Sequence, residues 1–106
     1  MTGSVPRVVE HVRFRLAVGA ERDAFLAASK GLHGWLKSTG AVVQRTLTQQ
    51  ADGEWNDIVM WTSLEAAQQA AKDIESVPQA GAFMNLIDPT TIVLTHSTIE
   101  AHETDF

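Results

Sequence analysis

At 106 residues, 44% hydrophobic and 20% charged, the chain holds a single domain over 1–106 and lacks the polar bias that keeps segments disordered. Its formal charge of −5, with only eight lysines and arginines, excludes an extended phosphate-neutralising surface, so no nucleic-acid partner is expected. The lack of cysteine excludes disulfides, thiolate catalysis and cysteine-ligated metal; no apolar run approaches the ~20 residues of a membrane span, so no membrane partner and a cytoplasmic location are expected.

Residues 8–16 alternate, with Val8, Val12, Phe14 and Leu16 on one face and Val9, His11, Arg13 and Arg15 on the other; Glu10 breaks the apolar face. This predicts a first strand. Over 20–38, Phe25, Ala28, Leu32, Trp35 and Leu36 recur at helical spacing, and Gly40 is a suitable left-handed stop. Gly31 and Gly34 inside that helix cost roughly 1 kcal/mol each relative to alanine, so the helix either packs closely there, the favoured reading, or bends. Residues 41–48 form a second strand, and Ala51-Asp52-Gly53-Glu54 turns it into a third over 55–61. Thr62 and Glu65 have the spacing of a capping box opening a second helix over 63–76, with Leu64, Ala67, Ala70, Ala71 and Ile74 as its apolar stripe. Val77 and Pro78 end it. The apolar stretch 79–88 predicts a short helical segment, Pro89 restarts an extended strand over 90–97, and 98–106 is a polar tail.

The order β-α-β-β-α-β predicts an α+β, ferredoxin-like domain, core about 8–97, in which a four-stranded antiparallel sheet carries both helices on one face. The alternation assigns Ile58 and Met60 to the helix-sheet core with Phe25, Leu32, Leu36, Leu64 and Ile74. To the uncovered face it assigns Val9, His11 and Arg13, then Val43, Arg45 and Leu47, then Asp57, Val59 and Trp61. Apolar side chains on an open sheet face predict a homodimer that covers them.

The element order, the third strand ending in Trp61, the transition Trp61-Thr62-Ser63-Leu64-Glu65-Ala66-Ala67 and the apolar pair Phe83-Met84 before the last strand are together similar to the dimeric α+β barrel superfamily. Within it, the chain most resembles the antibiotic-biosynthesis-monooxygenase-like branch. The resemblance covers about residues 8–97 and implies two subunits whose sheets close into a barrel, with a small-molecule cavity in each between sheet and helices. Members of the family include cofactor-independent oxygenases acting on polycyclic phenolic substrates, haem-degrading oxygenases and many proteins with no known activity; no cofactor is expected here. Trp61 falls where these oxygenases place a cavity tryptophan. Strand one has His11 and Arg13 where family members can offer asparagine. The haem-degrading branch needs a histidine inside helix two, whereas 66–71 reads Ala-Ala-Gln-Gln-Ala-Ala, so haem degradation is not expected.

For chemistry, His11 and His96 are the candidate bases toward a phenolic or enolic proton, on strands expected in or near the middle of the sheet; alternatively they are polar residues satisfied at a dimer interface. Trp61, Arg13, Phe83 and Met84 are the candidate substrate-binding residues: an indole face for a flat ring, a guanidinium fork for a phenolate, and an apolar wall. The alternative for Trp61 is a packing role, and for the strand arginines Arg13, Arg15 and Arg45 it is pairing with cross-strand acids such as Asp57 or Glu10, which is the favoured reading. His11, His96 and Asp57 have no local ligand spacing, so no metal site is expected, and His33 is a flank residue of its helix. Trp35 and Trp55 look like edge and interface fillers. The chain therefore reads as a small-molecule-binding protein, with cofactor-independent monooxygenase chemistry on aromatic or polyketide-like compounds as the first expectation; the alternative is a non-catalytic binding or structural dimeric module.

Overall fold

A computed structural model describes residues 5–106. Strands β1 (Val8–Phe14), β2 (Val42–Gln49), β3 (Trp55–Trp61) and β4 (Val93–Thr98) form one antiparallel sheet in the order β2-β3-β1-β4. Helices α1 (Arg22–Ser38), α2 (Leu64–Asp73) and α3 (Pro78–Met84) complete a ferredoxin-like split βαβ architecture. β1 and β3 are central and β4 is an edge, so His96 does not share the middle of the sheet with His11.

Local chemistry explains the boundaries. α1 stops at Gly40, whose φ of 70° a side chain would strain, and Gly53 does the same in the β2–β3 turn at φ 93°. α2 begins one residue later than the capping box predicts: Ser63 is the N-cap, its hydroxyl accepting from the Ala66 N–H at 3.0 Å, and Glu65 complements the dipole from the first turn. After a 3-10 turn at Ile74–Ser76, Pro78 opens α3 instead of merely closing α2, because proline is pre-organised for a first helical position. A second 3-10 turn at Pro89–Thr91 precedes β4, so the chain is not yet extended at Pro89.

The core lies between sheet and helices. Phe14 from β1, Phe25 from α1, Trp55 from β3 and Phe83 from α3 form a ring cluster with centroids 4.8–6.1 Å apart, tilted or edge-on. Trp55 is thus a core residue and not an interface filler. Leu32 and Leu36 are buried as expected, whereas Leu64 is 41% exposed at the first position of α2. Neither glycine of α1 is explained by close packing: a β-carbon at Gly31 would meet only the Gln79 side chain at 3.8 Å, and one at Gly34 would meet nothing within 4 Å.

The larger correction concerns sheet phase. Asp57, Val59 and Trp61 point toward the helices with Val8, Glu10, Val12 and Phe14, and Arg45 and Leu47 join them from β2. Ile58 and Met60 lie on the opposite face with His11, Arg13 and Thr46. Five of the seven residues of β3 are apolar, so alternation sets its phase only weakly, and the sequence expectation put Asp57 on the uncovered face. Asp57 instead lies inside, where Arg45 neutralises it, and a one-residue change of phase moves every side chain of the strand to the other face.

Candidate functional site

The inner face of the sheet and the helices enclose a cavity of about 210 Å3. Its wall is built by Val12 and Phe14 of β1, Val59 and Trp61 of β3, Leu32, Trp35 and Leu36 of α1, and Phe83 of α3. The void has a local origin: α2 turns Ala67, Ala70 and Ala71 toward it, and methyl groups cannot fill the space a leucine would occupy. Met84, Leu94 and Ala71 line it while also reaching solvent, which places the mouth between α2, α3 and β4.

Two carboxylates reach this apolar wall, and they differ in their partners. Asp57 is bound in bidentate fashion by Arg45, whose Nε and Nη2 donate to Oδ1 and Oδ2 at 2.9 and 2.8 Å. The third arm of the guanidinium donates from Nη1 to the Ser29 carbonyl at 3.1 Å, and its carbon lies 5.7 Å from the Phe83 ring centroid. With side chains only 6% and 9% exposed, this is a closed ion pair. Glu10 meets no lysine or arginine among the described residues. Its Oε1 accepts from the Trp61 indole N–H at 3.3 Å, and its Oε2 lies 3.1 Å from His96 Nε2, which donates when the carboxylate is ionised.

The structure therefore divides the sequence candidates. Trp61, Phe83 and Met84 line the cavity, and His96 reaches it through Glu10. His11 lies on the other face of the sheet, its Nε2 2.7 Å from Asn56 Oδ1, and Arg13 is beside it, 4.0 Å from Glu54. His11, His96 and Asp57 do not converge, and among the described residues no three His, Asp or Glu side chains form a metal-binding group. His33 borders a separate shallow groove with Lys30 and Arg45. Glu10 was noted in the sequence as the break in the apolar face of β1 but was not among the site candidates; it lines the cavity.

No protein-family model matches the chain, and no curated protein matches it significantly in sequence. Solved structures do. SnoaB, a cofactor-independent oxygenase from Streptomyces nogalater, superposes with a TM-score of 0.68 at 19% identity, over 94% of this chain and 97% of that one. A candidate antibiotic biosynthesis monooxygenase from Chloroflexus aurantiacus J-10-fl gives 0.67 at 16% identity, over 92% and 97%. A dimeric ferredoxin-like protein from an uncultured marine organism gives 0.64 at 7% identity, over 95% and 94%. Among the described residues no helix is long and apolar enough to cross a membrane. The chain has the four-stranded, antiparallel, ferredoxin-like fold that it shares with these solved structures.

Proposed function

We propose that this protein binds a polycyclic phenolic compound in the cavity between its sheet and helices and oxidises it with dioxygen as a cofactor-independent monooxygenase. The observation that carries the reading is an almost wholly apolar cavity with a polar edge at Glu10, which the Trp61 indole and, from behind, His96 hold in place. Apolar walls with a few convergent polar groups are what a small-molecule site needs for affinity and orientation. An apolar cavity of roughly 150 Å3 already holds benzene. At about 210 Å3 with an open mouth, this one has room for fused rings with one edge projecting past Met84 and Leu94.

Trp61 and Phe83 provide ring faces for stacking, and Met84 adapts to the outer edge of the ligand. A base at the polar edge removes an acidic proton and leaves an electron-rich carbanion, which reacts with oxygen while the walls keep water out. The cofactor-independent oxygenase among the structural neighbours supports this reading at the level of fold. We propose further that two copies pair through the open sheet face carrying Val9, Ile58, Met60 and Val93, as the dimeric neighbour suggests.

The test is titration of the intact protein with 1,8-dihydroxyanthrone, followed by tryptophan quenching and by oxygen uptake in chelated, flavin-free buffer. Saturable quenching with stoichiometric uptake and quinone formation is expected. Saturable quenching without uptake reduces the protein to a binding module; neither signal ends the reading altogether.

A further inference from the structure

We infer that Glu10, not a histidine, takes the proton from the bound ring system, and that His96 and the Trp61 indole are the residues that position it. The inference uses the cavity and ligand class proposed above, but the proton transfer itself needs no oxygen and is testable without it.

Three observations carry it. Glu10 lines the cavity, whereas neither His96 nor any other histidine of the described chain does. The second carboxylate of the wall, Asp57, has both oxygens held by Arg45 and is not free to accept a proton. Glu10, in contrast, spends one contact per oxygen, on Trp61 at 3.3 Å and His96 at 3.1 Å, and a carboxylate has about four acceptor positions. Acceptor capacity is left over. The two donors also fix the carboxylate plane, since one holds each oxygen and they come from different strands, β3 and β4, flanking β1. Side-chain exposure rises from 14% at Glu10 to 28% at His96, so the dyad runs from the cavity wall toward solvent.

The reaction balances without a further co-reactant. In an anthrone, a C–H bond of the methylene between the two aryl rings breaks; its proton passes to a Glu10 oxygen, and its electron pair delocalises over the rings and the carbonyl. Dioxygen takes one electron from this carbanion, and the radical pair combines to form a C–O bond. The terminal peroxide oxygen recovers the proton from Glu10. Loss of the second C–H proton and hydroxide as water breaks the O–O bond and leaves a ketone. The methylene is oxidised by four electrons, dioxygen is reduced by four, and Glu10 ends ionised as it began.

The test is anaerobic deuterium exchange at the methylene of 1,8-dihydroxyanthrone in D2O, followed by NMR, with tryptophan quenching as the binding control. Intact protein accelerates exchange; Glu10→Gln loses about 100-fold or more of the acceleration while binding stays within about threefold. His96→Ala lowers the exchange rate constant at saturation by about tenfold with little change in half-saturating ligand, and His96→Gln, which retains an N–H donor, restores most of it. Should Glu10→Gln fail to fold, Glu10→Asp, with the carboxylate withdrawn by one methylene, is expected to fold and lose about tenfold or more. The inference is overturned if intact protein gives no acceleration, if Glu10→Gln exchanges like the parent, or if His96→Ala falls to the Glu10→Gln level without rescue by glutamine. Exchange with no aerobic oxygen uptake supports Glu10 and refutes the oxygenase reading; uptake indifferent to Glu10→Gln refutes Glu10 and leaves that reading standing.

Discussion

Replacing Ala67 by leucine separates a cavity kept open for a ligand from one that merely went unfilled. Ala67 is 1% exposed and borders the cavity alone, whereas Ala70 also borders a surface groove with Trp35 and Ser38 and Ala71 sits at the mouth. Leucine adds three carbons, worth ~0.8 kcal/mol each when buried, or ~2.4 kcal/mol. Fixing its rotamer costs ~0.5–1 kcal/mol, leaving a net gain of ~1.5 kcal/mol. For 106 residues the unfolding entropy is ~0.22 kcal/mol/K, so the melting midpoint should rise by ~7 °C. The same side chain occupies ligand space beside Trp61, so anthrone quenching should weaken by at least tenfold. Calorimetry and a fluorescence titration of one variant check both. A loss of ~1–3 kcal/mol, the cost of overpacking, would show that α2 already closes onto the sheet; unchanged ligand affinity would move the binding site elsewhere.

Arg45→Met should cost ~3–5 kcal/mol in denaturant titration, because it strands the Asp57 carboxylate in a buried setting; adding Asp57→Asn should recover part of that loss. A cost under ~1 kcal/mol would mean the pair is not desolvated. Sedimentation at micromolar concentration should give a species of twice 11.5 kDa, and Ile58→Lys on the open face should dissociate it with the fold intact. A parent protein that sediments only as 11.5 kDa refutes the pairing proposal.

Much of the fold was legible because its signals are local. Alternation in 8–16, helical spacing from Phe25 to Leu36, Asp52-Gly53 at the hairpin and the apolar 79–88 stretch each specify one element through nearest neighbours, and their order leaves few topologies. What failed was information carried between strands. The phase of β3 depends on Arg45, twelve residues away from Asp57 in sequence, reaching across from β2. Alternation in a strand that is apolar on both faces cannot supply that. The inner placement of Trp61 follows from the same pair, since Asp57 and Trp61 share a face.

The site was half legible for a related reason. Trp61, Phe83 and Met84, conspicuous as large apolar residues at element ends, do line the cavity, whereas proton acceptors were sought among histidines by residue type and Glu10, which also lines it, was not a candidate. Both charged residues on the helix-facing side of the central strands, Glu10 of β1 and Asp57 of β3, violate the pattern that otherwise specifies the core, and buried charge persists only where it is compensated. Asp57 is compensated fully by Arg45, so its violation is accounted for by structure. Among the described residues Glu10 is held by the Trp61 and His96 nitrogens and by no lysine or arginine, at the edge of a cavity that alanines keep open. Its violation of the pattern is left for chemistry to explain.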